Sequence, residues 1–450
     1  MICTGTMNFM GASSVKRLEE FFGSIGEILG NDERRASFAT YSMGILSDAE
    51  RKSAEPLAAR ACADPKRADA EHQRLLHFLG NSKWSDELVR AEASRVALSA
   101  MTAKEKVEAW IVDDTGFLKQ GTHSVGVQRQ YTGSAGKVTN CQIGVSLVVA
   151  TRSDQVPVDF ELYLPKSWTG DRKRRLETRI PAEVEFATKP ELALQMIRRA
   201  LKAGVPRGIV LTDCGYGAGA DFRKELRSHE LDYAVAVNPT TVVRLVDRDG
   251  ACRGKSQQLK TLAKQLLKEY VFRRCTWRQG SRRAMTAQFA RVRVRVGDEE
   301  DVTLLIEWRD NEPEPANYFF VSMAKIPKAT KQLVRLVMQR WRIERTYQDL
   351  KGELGLDHYE GRSYPGWHHH ISVVLSSYAF IVAERNRLFP PQARGTVATT
   401  QNALAPGAPF PGQLHHCPAC CSPAHRDLAP EVPGLPSLEH SDTPSEGLTQ

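Results

Sequence analysis

The hydrophobic and polar positions divide the chain into blocks of different period. Residues 15–100 are rich in Ala, Glu, Arg and Leu and read as several helices. The run Asn81–Ser82–Lys83–Trp84–Ser85–Asp86 marks a turn between two of them, with Ser85 as the N-cap of the second. From about residue 105 the period becomes that of strands. KVEAWIVDD, NCQIGVSLVVA and PVDFELYLP read as three strands separated by turns. GIVLTD and LDYAVAV then bracket a helix around 218–229, a β-helix-β passage. Between about 240 and 318, FARVRVRV, VTLLIEW and YFFVSMA are strand-like. The preceding SQQLKTLAKQLLKEY reads as a helix or an extended excursion. Helices follow over about 329–354 and 368–388. The expected fold class is α/β, a mixed sheet with flanking helices. No internal repeat is visible.

After residue 389 the pattern fails. Eleven of the 23 prolines lie in 390–450, with few bulky residues, a composition that does not readily form a packed core. The expected organisation is therefore a helical N-terminal region over 1–100, either DNA-binding or a packing element, the first part of an α/β domain over 101–239, and a basic β-rich insertion over 240–318. The helix carrying Glu344 and the rest of that domain occupy 319–389, and a largely disordered tail fills 390–450.

A chain of 450 residues is long enough for two to four domains. Its net charge of +9 predisposes it toward a polyanion. Charge distribution is more telling, because residues 251–300 hold 13 Lys or Arg against 4 Asp or Glu. Phe272, Trp277 and Phe289 interleave with these arginines, which favours a DNA-facing surface over a merely solvated one. Arg273, Arg274, Arg282 and Arg283 are the expected phosphate contacts. No secretory signal is visible at the N-terminus, and no segment reaches the roughly 18 apolar residues needed to span a bilayer. ISVVLSSYAFIVA at 371–383 is better read as a buried helix. The nine cysteines are mostly scattered, which suits a reducing compartment. The expectation is a soluble cytoplasmic protein, nucleoid-associated when bound to DNA.

The chemistry is concentrated in VMQRWRIERTYQDLKGELGL, where Arg340, Glu344 and Lys351 stand four and seven residues apart. Both spacings return nearly to one side of a helix, so a carboxylate is flanked along one stripe by two cations. Such a stripe suits a metal held at Glu344 with phosphates gripped above and below it, although ordinary (i, i+4) ion pairs would look the same. Two upstream strands end in aspartate: WIVDDTG with Asp113 and Asp114, and GIVLTDCGYG with Asp213. Carboxylates from separate elements are what a metal-dependent phosphoryl-transfer site needs. Side chains alternate along a strand, so Asp113 and Asp114 should not serve one metal equally. Gly215 and Gly217 would let the backbone after Asp213 swing clear of metal and DNA.

Rival chemistries are weaker. GYGAGA fits the looser G-x-G-x-x-[GA] dinucleotide pattern, but Asp213 just before it would repel a pyrophosphate. There is no G-x-x-x-x-G-K-[ST] phosphate loop and no H-E-x-x-H zinc helix. Cys417, Cys420, Cys421, His415, His416 and His425 offer half a zinc site in the tail. His368, His369 and His370 cannot all converge from adjacent helix positions, which leaves a helix entrance or a DNA-backbone contact as their expected role.

Together, Asp114 in DDTG, Asp213 in LTDCGYG, and Arg340-x3-Glu344-x6-Lys351 resemble the DDE transposases of bacterial insertion sequences, in the branch with a β-rich insertion before the catalytic glutamate. That signature usually begins with a tyrosine three residues before the arginine, where this chain has Val337. SMGILSDAERKSAEPLAAR and QRLLHFLGNSKWSDELVR also resemble the leader region of one subgroup, so the likeness covers roughly residues 15–385. The resemblance implies an RNase H-like topology, and it selects Asp114, directly before Thr115, over Asp113. It implies that Asp114, Asp213 and Glu344 hold two Mg²⁺ or Mn²⁺ ions, and that Arg340 and Lys351 grip phosphates. It further implies cutting of element ends and strand transfer to target DNA, by a homodimer or higher synaptic assembly. Trp277 and Trp308 are the candidates for stacking on a flipped base, although a buried sheet tryptophan is the commoner role. The alternatives are a transposase-derived DNA-binding protein whose activity has decayed, and an RNase H-like nuclease without strand transfer.

Overall fold

A computed structural model describes residues 12–269, 271–279, 284–297 and 300–389. The proline-rich tail, its Cys/His cluster, and Arg282 and Arg283 lie outside the described residues. By compactness the chain divides into Met1–Thr400 and Gln401–Gln450.

Five helices open the described chain: α1 (Ala12–Leu29), α2 (Asp32–Ile45), α3 (Ala54–Ala61), α4 (Ala68–Gly80) and α5 (Asp86–Thr102). Side-chain caps start two of these five helices. Asn31 accepts from the Arg34 amide and Ser85 from the Leu88 amide, each satisfying a donor that the first helical turn leaves unpaired.

The strands then follow as β1 (Val107–Leu118), β2 (Gln128–Thr132), β3 (Lys137–Thr151) and β4 (Gln155–Tyr163). After α6 (Lys189–Lys202) come β5 (Ile209–Thr212), α7 (Ala220–Ser228) and β6 (Tyr233–Ala236). β1, β3 and β4 form an antiparallel meander, while β5 lies parallel to β1 and β6 parallel to β5. The resulting order β4-β3-β1-β5-β6 is RNase H-like, with helices against both faces of the sheet.

The basic segment supplies β7 (Val242–Val246), β8 (Cys252–Gln258), α8 (Leu259–Lys268), β9 (Arg273–Gln279), β10 (Ala284–Val296), β11 (Glu300–Trp308) and β12 (Asn317–Ser322). Its strands do not build a separate sheet. β12 pairs antiparallel with β6, so β12, β11, β10, β7 and β8 extend the same sheet outward. SQQLKTLAKQLLKEY resolves into both options left open for it, a strand end to Gln258 and then α8. Three arginines of FARVRVRV are committed internally. Arg295 pairs with Asp301 at 2.6 Å, Arg293 lies 3.7 Å from the same carboxylate, and Arg291 donates to the Pro327 carbonyl at 2.7 Å. Part of the local positive charge is therefore engaged within the fold.

The helix expected over 329–354 is broken. α9 (Thr330–Val337) ends in a tight turn over Met338–Arg340, and α10 (Trp341–Gly352) restarts after it. Val337, where the family signature has a tyrosine, is buried in the core at that break. α11 (Tyr364–Leu388) is buried nearly all round, as a helix without a strong polar face must be.

The histidine triplet lies inside this core, which corrects the expectation of a helix entrance or a DNA contact. His368 reaches Glu161 at 3.3 Å, and His369 stacks on Trp84 with ring centroids 3.8 Å apart. His370 meets the Tyr41 hydroxyl at 3.0 Å, and burial pushes its pKa down to about 3, so it is neutral. Adjacent positions on an enclosed helix face three different walls, and each ring finds its own partner. Gly217 also serves packing rather than clearance. A Cβ there would stand 2.4 Å from the Ala236 carbonyl oxygen, so the turn after Asp213 can press against β6 only with glycine.

Candidate active site

β1 carries Asp113 and Asp114 through the middle of the sheet. Its register pairs Asp113 with Ser146 and Asp114 with Val145 on β3, so the two carboxylates leave opposite faces as alternation requires. Ser146 shares a 2.7 Å hydrogen bond with the Tyr347 hydroxyl on α10, which identifies Asp113's face as that of α10. There the Asp113 Oδ2 accepts a 2.6 Å bond from Arg340 Nη1. Arg340 Nη2 donates to Glu344 Oε1 at 3.2 Å. On the other face, Asp114 Oδ2 takes Lys189 Nζ at 3.0 Å and the Tyr216 hydroxyl at 3.2 Å.

Asp213 follows β5, the parallel neighbour of β1. Its Oδ1 accepts the Gly215 amide at 2.9 Å, which caps the turn and aims the carboxylate. Burial lifts the Asp213 pKa, Arg340 pulls it down, and the charge of Asp114 raises it again. Asp113 is more strongly affected. Burial, with Asp213 and Asp114 adding like-charge repulsion, pushes it up to about 7 against the pull of Arg340. Asp113 thus feels the charges of Asp114 and Asp213, and on the α10 face Arg340 ties Glu344 to Asp113.

The stripe anticipated on the helix is present in part. Arg340 precedes α10, Glu344 lies in its first turn, and Lys351 reaches back to β1, where Nζ donates to the Gly116 carbonyl at 2.6 Å and to Ser134 Oγ at 3.3 Å. Burial lowers the Lys351 pKa. Arg342 belongs to the fold instead. It is buried, bonds Gln155 Oε1 at 3.1 Å, and donates to the Thr151 carbonyl. Arg342→Ala should cost about 3 kcal/mol by leaving that carbonyl and glutamine short of a donor. Denaturant unfolding checks this. A variant as stable as the parent but unable to bind DNA would place Arg342 at the ligand.

Among the described residues no group of three or more His, Cys, Asp or Glu side chains is gathered closely enough to hold a metal ion. The physical reason is visible in the pairing: Asp114 is drawn to Lys189, and Asp113 and Glu344 are drawn to Arg340. The donor chemistry, oxygen-only and anionic, still suits a hard divalent cation.

The basic strand β9 presents Arg273 and Arg274 at the surface, and Arg274 pairs with Asp310 at 2.7 Å. Trp308 is buried, edge-on to Phe272, with Nε1 donating to the Glu312 carbonyl at 2.9 Å. Trp277 is half-buried and meets Phe289 edge-on. Both tryptophans therefore pack within the sheet, the commoner role weighed for them. Sequence reasoning missed Lys189, Tyr216 and the stacking of Arg278 over the ring of Trp341, 3.7 Å from its centroid. Thr188-x-x-Glu191 with Pro190 signals a helix start at Lys189, but nothing local links that lysine to Asp114.

Residues 21–284, more than half of the chain, match the family described as DDE superfamily endonuclease. The chain belongs to that family. It is also 28% identical over 262 residues to the probable transposase for insertion sequence element IS701 of Microchaete diplosiphon, an alignment covering 58% of this chain and 64% of that protein. The family match takes in Asp113, Asp114, Lys189 and Asp213 and ends before Arg340, Glu344 and Lys351. No described helix is long and apolar enough to cross a membrane.

Proposed function

We propose that this protein is a transposase that cuts the ends of an insertion sequence and joins them to target DNA, with Asp114, Asp213 and Glu344 as its metal-binding carboxylates. What supports this is Asp213 directly after β5, the parallel neighbour of the strand that carries Asp113 and Asp114, together with the link from Asp113 through Arg340 to Glu344 on α10, in a chain of an endonuclease family. Two divalent cations, Mg²⁺ or Mn²⁺, would activate the attacking water or 3′-hydroxyl and stabilise the leaving oxygen. The protein's own part is to hold that site and its substrate. Tyr216, whose pKa burial and Asp114 raise, stays a hydroxyl donor and fixes the Asp114 carboxylate. Arg340 can grip a phosphate bidentately once a cation replaces it at Glu344, and Lys351 supplies a second positive contact. No nucleotide cofactor is needed, because transesterification conserves the phosphodiester bond. A homodimer or higher assembly would bring two element ends together.

The test is a cleavage and joining assay on DNA carrying the inverted repeats that flank the reading frame. Nicking followed by joining is expected. Binding alone would indicate a decayed, DNA-binding derivative, and nicking without joining a nuclease.

Four arginines of the insertion are the proposed DNA contacts outside this site. Replacing Arg273, Arg274, Arg282 and Arg283 by Ala should flatten the salt dependence of duplex binding, by about 0.9 in slope for each true phosphate contact. A slope unchanged by all four substitutions, with the fold intact, would make this a solvated surface only.

A further inference from the structure

We propose that Lys189 is a further working residue of this site. Its ammonium serves as the stand-in cation of Asp114 before metal binds, and passes to a backbone phosphate of the bound strand when metal takes the carboxylate. The inference rests on the transposase reading above and deepens it.

Three observations carry it. First, Lys189 is built into place rather than left on a loose loop. It is the first residue of α6, directly after Thr188, whose hydroxyl accepts the Glu191 amide while the Glu191 carboxylate accepts the Thr188 amide. Pro190 stiffens the same turn. Second, Nζ lies 3.0 Å from Asp114 Oδ2, the oxygen that also receives the Tyr216 hydroxyl. That oxygen is fully engaged, so a divalent cation and the ammonium cannot both sit against it without strong like-charge repulsion. Third, the Lys189 side chain is 32% exposed, with Nζ 6.0 Å from the Tyr163 ring centroid. Its four-carbon stem lets the charge swing outward while the backbone stays fixed. Displaced from Asp114, the ammonium needs another anion, and the strand bound at the site provides phosphates there. Asp113 and Glu344 stand in the same relation to Arg340, so each face of β1 keeps one cation of the protein against its carboxylate.

The alternative is an ordinary, partly exposed ion pair, which would contribute little to stability and nothing to the reaction. Full-length wild type, Lys189→Met, Lys189→Arg and Asp114→Asn are compared for Mn²⁺ binding without DNA, by the electron paramagnetic resonance signal of free Mn²⁺. The first three are then compared for nicking of end DNA at saturating Mn²⁺. Lys202→Met, at the exposed far end of α6, is the control. Lys189→Met should bind Mn²⁺ roughly fivefold tighter than wild type, the scale of a partly exposed pair removed from competition. It should nick roughly tenfold more slowly for want of a charge-assisted phosphate contact, with Lys189→Arg between the two and all melting temperatures unchanged. If Asp114-dependent Mn²⁺ binding is the same in wild type and Lys189→Met, or if nicking is unimpaired, the inference is overturned while the transposase reading stands. If wild type binds no Mn²⁺, or Asp114→Asn binds it equally well, the metal reading beneath both is what fails.

Discussion

Replacing Asp114, Asp213 or Glu344 by Ala should each reduce metal-dependent nicking roughly a thousandfold or more, the scale seen when one member of a cooperating catalytic set is removed. Binding to the element ends should persist. None of the three side chains is an apolar core group. Asp213 already carries a raised pKa from burial and from its neighbour Asp114, so removing either aspartate relieves repulsion instead of creating a cavity. Stability should therefore hold or rise while activity collapses. Asp113→Ala is the internal comparison, because it faces α10 and its carboxylate holds Arg340. It should retain more nicking than Asp114→Ala, and what it loses should come from freeing Arg340. Equal loss in both variants would show that the choice between these adjacent aspartates is wrong.

The second large effect is on stability and belongs to Asp113 itself. Burial and two neighbouring carboxylates push its pKa up to about 7, from an unfolded value near 4. Between these two values the folded protein binds the proton that the unfolded chain releases, so stability must fall as pH rises. Asp113's full contribution is present below about pH 4 and is lost as pH passes through about 7. A three-unit difference corresponds to at most about 4 kcal/mol, offset in part by relaxation of Arg340. Asp113→Asn keeps the shape and removes the titration. Denaturant unfolding at pH 8 should find the variant more stable than wild type, with the gap closing toward pH 4. A gap independent of pH would mean that Asp113 is ionised as easily in the fold as in water.

Much of the fold was legible because its signals are local. The apolar runs at 107–118, 137–151 and 155–163 are covered on both faces and could be little else than strands. Ser85 announces α5 through its own side chain. What could not be read is what depends on pairing. No residue in YFFVSMA states that β12 will join β6 and carry the insertion into the same sheet. The triplet His368–His370 looked polar and accessible, and only the enclosing helices and β4 make it core. β2 was missed because QRQYT carries no apolar alternation, and its pairing with β3 defines it.

At the site, spacing alone placed Arg340 against Glu344, since the four-residue separation still brings them together where Arg340 caps the start of α10. It also gave the alternation of Asp113 and Asp114. The partners of those aspartates were out of reach. Lys189 stands 75 residues from Asp114 and Tyr216 stands 102 away, and only sheet order brings them together.

The most direct measurement is Mg²⁺-dependent cleavage of end DNA by purified Glu344→Gln beside wild type. Glutamine keeps the length, helix propensity and exposed position of Glu344, and still offers Arg340 an acceptor, so fold and DNA binding should be preserved while the anionic ligand is lost. Binding with no detectable nicking is the predicted result, and cleavage at the wild-type rate would contradict the three-carboxylate site.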